Sequence, residues 1–292
     1  VQTMKKSIRL DKMLGNLGYG TRSEIKQLVR QGKVTVNGSA VKDPGMKLDP
    51  HLDRVALDGE PVAYREEVYV MMHKPAGLVS ATEDRRDRTV VDLLPDELGV
   101  LSPFPVGRLD KDTEGLLLLT NDGKLAHELL APRRHVPKTY RALVEGEAGE
   151  EDAAAFRAGV ALDDGYVTLP AHLRVLHVAK PGEAPADREM AEAIERMRAT
   201  PALRRDELER AQRDRSPLSW IELTIHEGKY HQVKRMFAAV GKRVLYLRRV
   251  AMGPLELDPA LGPGEWRELT EAEIEALRNY RKEKRAADGF DG

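Results

Sequence analysis

Val106-Gly107-Arg108-Leu109-Asp110-Lys111-Asp112-Thr113-Glu114-Gly115-Leu116-Leu117-Leu118-Leu119-Thr120-Asn121-Asp122-Gly123 is the stretch on which the architecture turns. So short an apolar run, closed by a turn-forming Asn-Asp-Gly, predicts a buried strand over 115–120 rather than a helix. The charged residues before it then occupy a loop held by a sheet, where functional groups concentrate. Taken alone, the loop admits several uses. Arg108 can form a structural ion pair with Asp110 or Asp112. Paired carboxylates among Asp110, Asp112 and Glu114 can instead hold a metal or do acid/base work of the glycosidase kind. No His or carboxylate cluster elsewhere completes an obvious metal site.

Working outward, Val68-Tyr69-Val70-Met71-Met72 predicts another buried strand, Val90 to Leu94 a short helix, Lys124 to Leu130 a further helix, and Thr139 to Val144 a strand. Elements interleave without a regular βαβ period. That predicts an α+β fold with a mixed, largely antiparallel sheet flanked by helices. Residues 179–217 hold nine basic and nine acidic residues, no aromatic residue, and the breakers Pro181, Gly182, Pro185, Pro201 and Pro217. This composition predicts a charged helical insertion at the surface, with helices near 188–199 and 203–213 and no catalytic part.

Upstream, Ile8, Leu10, Met13, Leu14 and Leu17 approximate one helical face, and Gly15, Gly18 and Gly20 mark its end. Thr21-Arg22-Ser23-Glu24 is a capping box that opens a second helix, with Ile25, Leu28 and Val29 facing inward and Gly32 stopping it. Val34-Thr35-Val36 leads through the hairpin dipeptide Asn37-Gly38 to Val41 and later to Val55-Ala56-Leu57, before a connector at 61–64. The expected layout is a small helix-pair-plus-hairpin domain at 4–60, a larger domain at 67–278 and a charged tail at 279–292. Val1-Gln2-Thr3 before Met4 read as a foreign extension.

The chain has 292 residues, of which 41% are hydrophobic and 33% charged, a composition of soluble globular proteins with room for about two domains. No apolar run approaches the ~20 residues of a membrane span and no secretory pattern opens the sequence, so a cytoplasmic protein without membrane partners is expected. The absence of cysteine excludes disulfides, thiolate metal sites and a Cys nucleophile. The net charge of −1 hides an uneven distribution. Residues 1–47 carry ten Lys or Arg against three acids, Arg133, Arg134, Lys138 and Arg141 form an acid-free run, and residues 226–249 carry seven basic residues against Glu227 alone. Three basic footprints together predict a polyanionic partner.

The N-terminal order, with Arg9-Leu10-Asp11-Lys12, Thr21-Arg22-Ser23 and Gly32-Lys33-Val34-Thr35-Val36-Asn37-Gly38, resembles the S4 RNA-binding domain over about residues 8–59. Gly107-Arg108-Leu109-Asp110, followed by Thr113-x-Gly115 and the run to Gly123, looks like the signature of pseudouridine synthases of the small-subunit rRNA branch. His73-Lys74-Pro75-Ala76-Gly77, Pro137-Lys138-Thr139-Tyr140 and Glu227-Gly228-Lys229-Tyr230-His231-Gln232-Val233-Lys234-Arg235-Met236-Phe237 agree with it, in family order. The resemblance implies that Asp110 is the catalytic aspartate, Tyr140 the tyrosine that stacks on a flipped uracil, and Lys234 the cation paired with the aspartate. It also implies that Arg108 contacts RNA around the extruded nucleotide, with Arg235 beside it at the substrate. Many relatives carry Arg where Lys234 stands, so a point charge replaces a planar fork. In the S4-like module Arg9, Lys12, Arg22, Ser23, Lys26 and Lys33 are the expected RNA contacts, made to phosphates. His73 and Lys74 are expected either to line the site or to end a strand in a turn. His231 and Gln232 are expected to orient the basic pair.

The implied reaction breaks the N1–C1′ bond of uridine, turns the uracil and joins C5 to C1′, so no cofactor is expected. A neighbouring cation keeps an aspartate ionised, and the target base must leave the stack to be reached. The wording Tyr230-His231-Gln232 resembles the 16S-directed branch, which makes the helix 18 region of 16S rRNA the expected substrate, acted on by a monomer. The alternatives are a 23S-directed synthase, a ribosome assembly factor with the same fold and no activity, and a carboxylate hydrolase of nucleosides or glycosides.

Overall fold

The computed structural model describes residues 7–50, 52–62 and 64–287, with side chains through 280. The expected extension Val1-Gln2-Thr3 and the end of the expected tail, 288–292, lie outside the described residues. The chain divides into two compact units, Val1–Val68 with Leu94–Pro103, and Tyr69–Leu93 with Phe104–Gly292.

In the first unit β1 (Ile8–Arg9) leads into α1 (Leu10–Asn16), and α2 (Arg22–Arg30) follows. Ile8 is therefore not on the first helix, as the periodicity suggests; it pairs with Leu48 of β4 (Lys47–Leu48). Gly15 likewise lies inside α1, and Gly18, with φ of 79°, makes the turn after it. The capping box is present: Thr21 Oγ1 accepts from the Glu24 N–H and Glu24 Oε2 accepts from the Thr21 N–H. β2 (Val34–Val36) and β3 (Ser39–Ala40) form a hairpin at Asn37-Gly38, both with positive φ, and β5 (Val55–Leu57) and β6 (Glu60–Pro61) complete a sheet in the order β3-β2-β5-β6. The residues expected to begin a connector thus start as an edge strand, where Pro61 costs no ladder bond. Leu10, Leu14, Ile25, Val29, Val34 and Val55 close the core. Segment 94–103, with α3 (Asp96–Gly99), belongs to this unit.

The second unit is built on one mixed sheet. Its strands are β7 (Tyr69–Lys74), β8 (Phe104–Pro105), β9 (Glu114–Thr120), β10 (Lys138–Glu145), β11 (His172–Ala179), β12 (Leu218–Ile225), β13 (Arg243–Met252), β14 (Leu255–Glu256) and β15 (Trp266–Glu268). The path runs β11-β12-β10-β13-β9-β7-β15, with β8 on β9 and β14 on β13. Pairings are antiparallel except β9 with β13. That parallel contact sets Gly115 opposite Arg249 so closely that a Cβ on Gly115 would lie 2.2 Å from the Arg249 carbonyl oxygen. With φ of 107° as well, only glycine fits there.

α4 (Gly123–Leu130) and α9 (Glu271–Ala287) bury Leu125, Leu129, Ile274 and Leu277 against Tyr69, Met71, Leu116 and Leu118. α9 continues through the start of the expected tail. A second cluster corrects the reading of 179–217 as a surface excursion. α6 (Arg188–Ala199) and α7 (Arg205–Arg213) form within it, but Met190, Ala193, Ile194, Met197, Leu203 and Leu208 pack on Leu143, Trp220, Leu245 and Tyr246. The charges occupy one side of these helices and a narrow apolar stripe the other, as burial of one helical face requires. α5 (Glu150–Ala158) and α8 (Gln232–Ala239) meet where Phe156 stands edge-on to Phe237, with ring centroids 5.1 Å apart. No helix among the described residues is long and apolar enough to cross a membrane.

Candidate active site

The loop that feeds β9 is pinned through its backbone. Ser80 Oγ donates to the Leu109 carbonyl at 3.0 Å and accepts the Leu109 N–H at 3.1 Å. The Thr113 N–H closes a turn onto the Asp110 carbonyl, and the Gly77 N–H donates to the Lys111 carbonyl at 2.7 Å. Beneath the loop lies Lys74, fully buried on β7. Its ammonium donates to the carbonyls of Pro75 and Thr113 at 2.9 Å and of Lys111 at 3.5 Å. Burial pushes this amine down to about 8, against the pull of Glu114 and Asp112. Lys74 thus braces the loop from below and does not line the cavity above it. His73 is buried too, its Nδ1 bonded to the Leu261 carbonyl at 2.8 Å, and burial depresses its basicity.

The loop opens onto a cavity of about 870 Å³ lined, among others, by Arg108, Asp110, Lys138, Tyr140, His231 and Arg249. Asp110 is held from α8. Lys234 Nζ donates to Asp110 Oδ2 at 3.0 Å and to Asp112 Oδ1 at 2.6 Å, and His231 Nε2 lies 3.6 Å from Asp110 Oδ1. His231 caps α8 in the left-handed region, φ 48°, a strained setting for a residue with a Cβ. Its ring stacks on the exposed Tyr230 with centroids 3.8 Å apart. Gln232 turns away, donating to Glu227, which also takes the Tyr166 hydroxyl and the Leu169 N–H. Burial works to raise the Asp112 carboxyl, but Lys234 and Arg204 outweigh it and hold Asp112 below the usual range. Tyr140 is buried on β10 opposite Arg249 of β13, and Lys138, two residues earlier, shares its side of the strand. Burial and the Arg249 charge push the Lys138 amine down to about 8.

The structure therefore brings Arg108, Asp110 and Tyr140 to one cavity with Lys234 behind the aspartate, but it does not bring Arg235 there. Arg235 is tied to Asp163 and to Asp164, the latter at 2.7 Å. Much of the third basic footprint is likewise spent internally, Lys242 on Asp152, Arg248 on Glu189, and Arg249 on the Leu116 carbonyl. Arg141 of the second run pairs with Glu189 and Glu222. Of the S4-like contacts, Arg9 forks onto Asp11 and Lys33 meets Asp58, whereas Lys12, Arg22 and Lys26 are exposed without an ion-pair partner among the described residues. Ser80 and Arg204 carry no motif signal and are found only in three dimensions, as is the contact of Asp112 with Lys234 and Arg204.

The model of the RNA pseudouridylate synthase family matches residues 68–239, and that of the S4 domain residues 8–55. An uncharacterized RNA pseudouridine synthase of Bacillus subtilis is 46% identical over 92% of this chain and 98% of its own length. The ribosomal small subunit pseudouridine synthase A of Salmonella typhimurium is 37% identical over 92% of this chain and all of its own. The ribosomal large subunit pseudouridine synthase B of Bacillus subtilis is 34% identical over 92% and 95%. A crystal structure described as pseudouridylate synthase superposes with a TM-score of 0.55 at 32% identity, covering 92% of this chain and 99% of that one. A loop carboxylate paired with a cation and facing a cavity with a buried tyrosine thus meets the family's sequence pattern along most of the chain, which belongs to the RNA pseudouridylate synthase family and carries an S4 domain ahead of its catalytic domain.

Proposed function

We propose that the protein isomerises one uridine of 16S rRNA to pseudouridine in the cavity above Asp110, without a cofactor. One observation carries the reading: Asp110 lines the cavity while Lys234 contacts it at 3.0 Å, so a carboxylate paired with a cation faces the space where a nucleotide fits. The uracil leaves C1′ from N1 and rejoins it through C5; the C5 proton departs and N1 regains one, so atoms and electrons balance within the nucleotide. A stacked base cannot present these atoms, and Tyr140 offers the aromatic face for an extruded one. Arg108, exposed at the rim, meets the RNA around the vacated position. Lys12, Arg22 and Lys26, with Ser23 at the start of α2, provide phosphate contacts in the S4 domain; Arg9 and Lys33 contribute less, being paired with Asp11 and Asp58. Arg235 is left with a structural role.

The small-subunit assignment rests on Tyr230-His231-Gln232 and on the relatives named for that activity. The similar large-subunit relative supports a second reading, a 23S uridine. Carbodiimide mapping of both rRNAs from cells with and without the protein, alongside purified Asp110→Asn, tests these together. The expected result is loss of a single 16S stop, and an Asp110→Asn protein that folds and binds RNA but forms no pseudouridine. Loss of a 23S stop replaces the target, and substantial turnover by the variant overturns the site.

A further inference from the structure

The helices α6 and α7 return two guanidinium groups to the loop of Asp110. Arg196 forks onto Glu114, which is fully buried and also accepts the Tyr246 hydroxyl at 2.8 Å. Arg204, just ahead of α7, donates through Nε to Asp112 Oδ2 at 3.2 Å and through Nη1 to the Val244 carbonyl at 3.3 Å and to Glu207 at 3.2 Å. The other Asp112 oxygen holds Lys234, and at 2.6 Å this contact is shorter than the 3.0 Å one from Lys234 to Asp110. One ammonium is therefore shared by two carboxylates, and it lies nearer the one that does not line the cavity. Two partly buried anions around a single cation leave an excess negative charge beside Asp110 unless another cation balances it. Arg204 is that cation.

We propose that Arg204 is a positioning residue for the isomerisation: by neutralising and fixing Asp112 it leaves the charge of Lys234 available to Asp110. This rests on Asp110 being the catalytic carboxylate. It gives residues 179–217 a task in the active site, although they contribute no side chain to the cavity lining. The charged groups around Asp110 include Lys234 and His231 from α8, Asp112 and Arg108 on its own loop, Lys74 beneath from β7, and, behind Asp112, Arg204, which Glu207 of α7 also holds. Removing Arg204 leaves the group one charge more negative; removing the Asp112 charge as well restores the balance.

The test compares Arg204→Gln, Asp112→Asn, the double variant and Arg204→Lys in the full-length protein, reading kcat, KM and the pH profile on an rRNA fragment. Arg204→Gln is expected to lose about tenfold in kcat with KM within about twofold, and the acidic limb of its kcat profile is expected to move up by about half to one pH unit, the scale of one nearby charge. The double variant and Arg204→Lys should recover to within about threefold of the parent and return the limb to its place. Native kcat and profile in Arg204→Gln overturn the proposal. So does a double variant no better than Arg204→Gln, or one that fails to regain native melting, since either reduces Arg204 to packing of the helix pair. An active Asp110→Asn would instead sink the reading beneath it and is measured separately.

Discussion

Gly115 shows how much of the site is settled by one residue. Alanine there meets the Arg249 carbonyl at 2.2 Å and must adopt φ of 107°, so Gly115→Ala is expected to cost about 4 kcal/mol or more. Gly123, at the start of α4 with open space around it, serves as the control, and its replacement by alanine should change stability by about 1 kcal/mol at most. Urea unfolding of both variants checks this, and equal stabilities would mean that the strand contact is not as tight as described. The roles of Asp110, Arg108 and Tyr140 are expected through the family resemblance and not from spacing, which leaves the charged loop open to a structural ion pair; the structure sets all three on one cavity. Asp112 sits in the same motif, yet nothing in its spacing tells that it competes for Lys234. That competition depends on the turn from Asp110 to Thr113, which sends both carboxylates toward α8. Arg235 stays out of the cavity lining for the converse reason: adjacent helical residues point in different directions, and the one beside Lys234 faces Asp163 and Asp164.

At the scale of elements, the start of α9 is a charge-assisted cap. Arg267 forks onto Glu273 at 2.7 and 2.8 Å, and Glu273 accepts the Thr270 N–H while its own N–H donates to Thr270 Oγ1. The guanidinium holds the Glu273 carboxyl down to about 2, against an ordinary 4.5. A carboxylate depressed on folding binds fewer protons folded than unfolded, so its contribution is complete above about 4.5 and is lost as pH falls toward about 2. Glu273→Gln is expected to cost on the order of 1 kcal/mol at neutral pH, a figure discounted for a partly exposed pair. Thermal melts of parent and variant should converge as pH falls through that window; a constant gap would remove the pairing as its cause. β9 was readable because it is a short run buried throughout, and α2 and α4 because each buries one face. α6 and α7 were readable as helices but not as buried ones, because counting charges gave nine of each sign and hid the stripe Met190, Ala193, Ile194 and Met197. Side chains as small as alanine weigh little in any hydropathy count, but they let a helix lie close on a sheet.

For the whole molecule, the sequence carries its excess positive charge in residues 1–47, while the footprint at 226–249 is largely absorbed in internal pairs. RNA affinity should then depend on salt chiefly through the S4 unit. Replacing Lys12, Arg22 and Lys26 together with Gln is expected to lower the slope of log K against log salt by about 2 to 3, with kcat on saturating RNA unchanged. Filter binding across a salt series measures it, and an unaltered slope would move the phosphate contacts elsewhere. Basic runs predict a polyanion only when no acid distant in sequence folds back onto them, and a linear reading cannot see Asp152 or Glu189 arriving. The bond between Lys234 and Asp110 joins residues 124 positions apart, and the parallel contact at Gly115 waits on Arg249. Chains emerge from the ribosome N-terminus first, and contacts of such separation form late. The S4 unit is largely synthesised long before either partner of the loop exists. A nascent chain can therefore hold RNA while it still has no means of altering it, and competence waits until Lys234 and Arg249 have emerged.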